Sequence, residues 1–401
     1  MLAIQSRDRL TVIDSLRGFA LFGVLLINMF SFHQPPHGDP ATLPVSGVVD
    51  QTLQWLIRML IMGKAYSIFA FLFGAGIMLQ WDRLQLRGIH PLPLMRRRLG
   101  GLLIMGLIHS TLIWSGDILK FYALFGLVLL AFAKRQDKTI KRWALSLLVV
   151  FLAITFSVVA MKVLQGPTPA EVEAPPPSHH AQVFETGGYG DVVSENTSLL
   201  LSSESIQLFL FGGLYLLPCF LTGMLWIRKD LFSNSPAALK TLQSIWRISF
   251  PLSLVMLVAY GILGRLSSPG DYNWIRGAMK ALEFALQPVL SLAYVSGFQR
   301  LFAHGGLKRW FKPLAPLGRM ALSNYLIQSL FFTALFYGYG VGLLNQLTMT
   351  QLVLITISFY GTQLVLSRYW LKAFRFGPFE WAWRSFTYKT RMPWRKNAVV
   401  S

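Results

Sequence analysis

Gly106-Leu107-Ile108-His109-Ser110-Thr111-Leu112-Ile113-Trp114-Ser115-Gly116-Asp117-Ile118-Leu119 is the stretch whose reading decides the fold. Apolar runs over 99–116 and 118–133 meet in it, and Ser115-Gly116-Asp117 leaves room only for a tight turn, so the two runs read as a helical hairpin. A histidine and an aspartate then stand at a depth where a lipid bilayer would be. Ionisable groups there are costly and mark sites of chemistry or transport.

Outward from that hairpin the same pattern repeats. The candidate spans are 15–33, 64–81, 99–116, 118–133, 143–164, 206–227, 246–265, 278–300, 317–339 and 349–370. Of 401 residues, 54% are hydrophobic and 13% charged, against roughly 25% charged in a soluble protein. The expected fold is an all-α polytopic membrane bundle of about ten transmembrane helices. Its partner is the lipid bilayer. The net charge of +20 falls in short loops between apolar runs, which reads as a topology signal and excludes nucleic acid as a partner. Arg83, Arg87, Arg96, Arg97 and Arg98 follow the second run. Lys134, Arg135, Lys138, Lys141 and Arg142 follow the fourth. Arg228, Lys229, Lys240 and Arg247 follow the sixth, and Arg300, Lys308, Arg309, Lys312 and Arg319 the eighth. Segments 34–52 and 165–205 hold no Lys or Arg. Both termini are therefore expected in the cytoplasm, with Lys120, Arg265 and Arg276 as exceptions to the rule. The basic start before the first run reads as part of a retained span, since Ile27-Asn28-Met29-Phe30 stands where a cleavage site would be.

Four regions follow. Residues 1–164 form a five-helix half with the candidate site, 165–205 an acidic, proline-rich flexible outer loop, 206–385 a second five-helix half, and 386–401 a basic tail. Val48 to Met62 reads as an amphipathic surface helix or as an extension of the second span. The lone Cys219 rules out an intramolecular disulfide and packs as a small hydrophobe.

The candidate catalytic pair is His109 and Asp117. A neutral imidazole can take a proton near pH 7, and a buried histidine can equally serve as an interhelical hydrogen-bond partner. On one continuous helix the pair would stand about 12 Å apart, so either the helix breaks near Ser115-Gly116 or the two groups flank a substrate. Asp14 and Arg17 share a face of the first helix. Asp14 can cap the helix start or orient Arg17, whose planar fork suits a phosphate. Asn28, Lys64, Trp114 and Tyr122 are further binding candidates, each with a packing or interfacial alternative. Asn324 and Gln328, four apart, line a cavity or bond a neighbouring helix. Glu380 and Arg384 are spaced for an ion pair. His33, His37, Asp39, His179 and His180 read as loop residues, and no metal is expected.

Asp14-Ser15-Leu16-Arg17-Gly18 through Asn28, Phe71 to Gly76, His109 through Leu119, Gly318-Arg319-Met320 through Gln328, and Phe376 through Arg384 together resemble the YeiB-like bacterial membrane family, domain of unknown function 418. That resemblance runs over nearly the whole chain and implies a multi-pass protein of the bacterial cytoplasmic (inner) membrane. The first span is also similar to the transmembrane acyltransferases, which open on an Asp-x-x-Arg-Gly signature. This wider likeness implies acyl-coenzyme A (acyl-CoA) as donor substrate and an envelope or small-molecule acceptor. Arg17 would then hold the donor phosphates, and His109, balanced by Asp117, would act as general base. A transporter of a small anionic or amphipathic solute and a non-catalytic envelope partner are the rival expectations.

Overall fold

The computed structural model describes residues 2–34, 47–165, 179–266, 274–303 and 305–396. Helices account for nearly all of them, and the described residues include no β-strand beyond one isolated bridge, Phe374 to Arg395. Among the described residues, seven stretches are long and apolar enough to cross a membrane: Thr11–His33, Val48–Leu86, Asp137–Gln165, Ser205–Arg228, Pro236–Leu266, Trp274–Ala303 and Met349–Ala373. Leu119–Leu130 and Ala321–Phe336 are shorter apolar helices. Two of the long helices, α6 (Asp137–Gln165) and α10 (Pro236–Leu266), turn Leu145, Val149, Ile248, Val255 and Val258 outward. Water would penalise so broad an apolar face, whereas lipid does not.

Helix α1 (Leu2–His33) runs through the centre. Helix α2 (Val48–Leu56) continues through a π-helical turn, Ile57–Ile61, and the chain breaks at Gly63. Gly63 has φ 76°, a left-handed conformation that a side chain resists. α2 is thereby set off from α3 (Lys64–Leu86), and its buried Asp50 accepts a 3.0 Å bond from the Thr350 amide. Next come α4 (Pro91–Leu112), α5 (Leu119–Leu130) and α6, with proline at the first turn of α4, where no amide partner is missed.

The expectation of a flexible loop over 165–205 is corrected for its second part. Residues 179–186 and 189–201 are helices α7 (His179–Thr186) and α8 (Tyr189–Leu201). Phe184, Val192 and Leu199 are buried in one apolar cluster with Trp114, Phe332 and Tyr337. Three apolar anchors suffice to dock a segment whose overall composition is polar. Residues 166–178, with the triple proline, lie outside the described residues.

The second half holds α9 (Ser203–Arg228), α10, α11 (Trp274–Ala303), α12 (Gly305–Phe311), α13 (Leu314–Arg319), α14 (Ala321–Phe336), α15 (Met349–Ala373) and α16 (Pro378–Tyr388). Two seams join it to the first half at backbone distance. A β-carbon on Gly74 would stand 2.1 Å from the Phe220 carbonyl oxygen, and one on Gly223 1.9 Å from that of Phe71. α1 and α13 meet in the same way, through Gly18 on Leu314 and Gly318 on Asp14. Small residues at such crossings are the usual device for close helix packing where water supplies no drive.

Candidate functional site

The hairpin between α4 and α5 folds back on itself. α4 stops at Leu112, and the amides of Ile113 and Trp114 both bond the His109 carbonyl, at 3.0 and 2.9 Å. Gly116 lies flat against the Trp114 indole, where a β-carbon would meet the ring at 2.4 Å. That turn returns Asp117 beside α4. Gly106, one turn before His109, leaves the space it occupies, because a β-carbon there would clash with the Lys120 amide at 2.5 Å and crowd the Asp117 carboxylate at 3.0 Å. Asp117 Oδ1 lies 2.9 Å from His109 Nδ1, and Asp117 Oδ2 accepts the Lys120 amide at 2.9 Å, capping α5. The helix therefore breaks and the pair touch. Both side chains are about 1% exposed. The Tyr325 ring lies 5.2 Å from the imidazole, and the Tyr325 hydroxyl accepts the Ile118 amide at 3.4 Å.

Two cavities approach this pair from opposite ends. One, of about 400 Å³, is lined by Asp14, Arg17, Arg83, Arg98, Arg319, Arg375, Glu380 and Arg384 at its mouth. Leu72, Phe73, Leu102, Ile118, Tyr122 and Tyr325 line its inner part. The other, of about 330 Å³, is lined by Asn28, Tyr66, Trp114, Asp117, Ile118, Lys120, Tyr215 and Gln287 among others. Ile118 lines both. Tyr122 walls the first and donates to the Tyr66 carbonyl at 3.4 Å, while Tyr66 walls the second and donates to Asn28 Oδ1.

Asp14, Arg17 and Tyr122 thus belong to the first cavity, and Asn28, Trp114 and Asp117 to the second. Four candidates line neither. His109 sits behind Asp117. Lys64 is wholly buried and donates to the Arg58 carbonyl at 3.4 Å. Asn324 donates to Ser367 Oγ at 3.0 Å, and Gln328 donates at 2.8 Å to Gln363, which in turn donates to the Asn324 carbonyl at 3.0 Å. That network ties α14 to α15, because amides buried in an apolar bundle find one another.

Asp14 holds Arg17 at 2.9 Å. Glu380 does not pair with Arg384. Its carboxylate accepts the amides of Leu322 and Ser323, at 2.8 and 3.0 Å, and the Ser323 hydroxyl, capping α14. Burial pushes the Glu380 carboxyl up from its ordinary value against those bonds and pushes the Arg384 guanidinium down. Arg98 stacks on Trp383 at 3.6 Å and Arg384 on Phe376 at 4.5 Å. Sequence reasoning counted Arg83, Arg98 and Arg319 as topology charges, since nothing in the chain says that three separate elements, α3, α4 and α13, bring them together.

His33 is buried, not solvated, and accepts the Leu347 amide at Nε2, 3.2 Å away. His37 and Asp39 lie outside the described residues. His180 pairs with Glu195. Among the described residues no three His, Cys, Asp or Glu side chains gather as a metal site would need.

Over residues 226–390 the sequence matches the family described as "Protein of unknown function (DUF418)". It is similar along its length to the uncharacterized protein YxaH of Bacillus subtilis (strain 168), at 30% identity over 409 residues and 98% of each chain. The uncharacterized 39.9 kDa protein in the amylase 3' region of Bacillus acidopullulyticus is 28% identical, over 96% of each chain. The uncharacterized protein YeiB of Escherichia coli (strain K12) is 26% identical over 96% of this chain and 98% of its own. With the family match spanning α13 and α16, which carry Arg319 and Arg384, and a relative at 30% identity from end to end, this chain belongs to the DUF418 family.

Proposed function

We propose that the chain is an integral-membrane acyltransferase. It would take an acyl group from cytoplasmic acyl-coenzyme A and place it on a hydroxyl or amine of an acceptor reached from the far side of a bacterial inner membrane. The observation that carries this reading is the meeting of an arginine-rich cavity and an aspartate-bearing cavity at Ile118. Six guanidiniums suit a ligand with several phosphate charges better than any neutral solute. They stand in the basic segments of the sequence, which the charge rule assigns to the cytoplasm, where acyl-coenzyme A is found. In this reading the chain crosses about ten times with both termini inside, α4, α5 and α14 completing the crossings that the seven long helices leave open.

In the reaction the acceptor oxygen or nitrogen attacks the thioester carbonyl carbon. The carbon–sulfur bond breaks and sulfur leaves with the electron pair. Asp117, which reaches the acceptor cavity, takes the acceptor proton and passes it to the departing sulfur. His109 holds the carboxylate through Nδ1, so the sequence-based assignment of base and helper is exchanged. The end-to-end cavities also favour a second reading, a conduit for an anionic solute.

Calorimetry of acetyl-coenzyme A and longer-chain acyl-coenzyme A binding to the purified protein in nanodiscs, wild type against Arg17→Ala, tests the proposal. Saturable binding that the variant loses supports the transferase. No binding to a folded wild-type protein refutes the donor assignment and puts the conduit first.

A further inference from the structure

Lys120 departs from the charge pattern of the sequence, and it lines the second cavity, at the end away from the arginines. It is 8% exposed, and its ammonium donates to a backbone carbonyl, that of Ser115, at 3.1 Å. Its neighbouring carboxylate, Asp117, is already engaged by His109 and by the Lys120 amide. Lys64 repeats the arrangement. It is fully buried between Gly63 and Tyr66, two residues that line the same cavity, and it too donates to a backbone carbonyl, that of Arg58, at 3.4 Å. The carboxylate in its surroundings, Glu283, is held by Arg58 at 3.2 Å and by Lys280 at 3.4 Å. One turn beyond Glu283, Gln287 adds its amide to the cavity wall.

Two buried ammoniums, each with a carbonyl for company and, among the described residues, no carboxylate within ion-pair distance, are a costly arrangement in a membrane protein. A bound anion removes the cost. Lysine is a good partner for phosphate because its compact charge and three donors need no fixed geometry. We infer that the second cavity binds a phosphate-bearing ligand, held by Lys120 with Gln287 as a further donor, while Lys64, behind the wall at Gly63 and Tyr66, adds its charge from beneath. The inference rests on the acyltransferase reading only in calling that ligand the acceptor, since the binding itself requires no acyl transfer. The phosphate can belong to a lipid head group or to a small soluble phosphoester.

The test uses the full chain in neutral detergent and follows thermal unfolding with phosphatidylglycerol, phosphatidylcholine or sn-glycerol 3-phosphate added. Wild type, Lys64→Met, Lys120→Met, the cavity-wall variant Gln287→Leu and Arg17→Ala are compared. Phosphatidylglycerol or sn-glycerol 3-phosphate should raise the midpoint of the wild type and of Arg17→Ala, and whichever does so names the source of the phosphate. Affinity should fall roughly tenfold or more in Lys120→Met, which removes a charge-assisted bond, and by a smaller factor in Lys64→Met, which removes only a nearby charge. Without probe, Lys64→Met should unfold no earlier than wild type, because it removes an uncompensated buried charge. Should Lys64→Met or Lys120→Met not fold, Gln287→Leu decides, since it removes a donor from the cavity wall without removing a charge: a weakened response there supports the inference and an unchanged one overturns it. An unchanged response in the lysine variants, or no response to either anionic probe, overturns the inference. A response lost only in Arg17→Ala does so as well, since it assigns the phosphate to the arginine cavity. If acyl-coenzyme A fails to bind while the lysine-dependent response persists, only the transferase reading falls.

Discussion

Replacing Asp117 by asparagine separates geometry from charge at the hairpin. The carboxylate accepts two bonds of 2.9 Å, one at His109 Nδ1 and one from the Lys120 amide. An asparagine can keep both. Its oxygen accepts the Lys120 amide, and its NH2 donates to Nδ1, provided the imidazole moves its proton to Nε2. That atom is buried and has no hydrogen-bond partner among the described residues, so the tautomer breaks no bond but leaves one N–H unsatisfied. Asp117→Asn should therefore lose the charge assistance and leave that one donor unpaired, about 2 kcal/mol in all. Asp117→Ala instead leaves two buried groups without a partner and should cost roughly 3–5 kcal/mol. Activity should divide differently. With no carboxylate to take the acceptor proton, Asp117→Asn should slow acyl transfer by about 10²–10⁴-fold. Thermal unfolding in detergent reads the first effect. Transfer of radiolabelled acetyl from acetyl-coenzyme A to native membrane acceptors reads the second, and nitrogen NMR of the imidazole reads the tautomer. Wild-type transfer rates in Asp117→Asn would refute the assigned role. Equal instability of Asp117→Asn and Asp117→Ala would refute the exchange of tautomers.

Gly223→Ala puts a carbon 1.9 Å from the Phe71 carbonyl oxygen, where ordinary contact begins near 3.4 Å, so α3 and α9 must part by about 1.5 Å. The cost should be about 1–3 kcal/mol, read as a lower unfolding midpoint, whereas Gly261→Ala, with open space around it, should leave the midpoint in place. Burial raises the Glu380 carboxyl, so above its ordinary value the folded chain keeps a proton that the unfolded chain has released. Stability should then decline as pH rises from about 4.5 through the raised value, and Glu380→Gln, which mimics the protonated form, should flatten that decline in a pH series of unfolding midpoints. Asn196→Ala removes the acceptor of the Ser115 amide, a 3.2 Å bond. It should cost about 1 kcal/mol and speed hydrogen exchange over residues 189–201. Exchange as slow as in wild type would show that this bond does not hold α8 down.

Asp117 and His109 could be named from the sequence because two ionisable residues inside apolar runs have few roles. Their contact could not, since it depends on where α4 stops, and that is set by Gly116 against the Trp114 ring. Asn324 and Gln328 gave the same signal with a different outcome. A buried amide looks alike whether it meets a ligand or Gln363, and only the placement of α15 decides. The arginine cavity was legible one residue at a time but not as a cluster, because Arg17, Arg98, Arg319 and Arg384 are brought together by long-range packing. The docking of α8 left a fainter trace. Val192 and Leu199, seven apart, share a helical face, but the acidic and proline-rich residues around them hid it.

The glycine seams also limit how the molecule can work. Gly74 and Gly223 clamp α3 to α9, while Gly18 and Gly318 clamp α1 to α13, so the two halves are locked backbone against backbone at two separated places. Rocking one half about the other, as repeat-built carriers do to open alternately on either side, would have to pull both clamps apart. Whatever passes between the cavities must instead be admitted by side-chain rotation at Ile118, Tyr122 and Tyr66 within a stationary frame. Under the proposed transferase reading, such a partition would let through a slender acyl group while holding back the bulk of the molecules on either side.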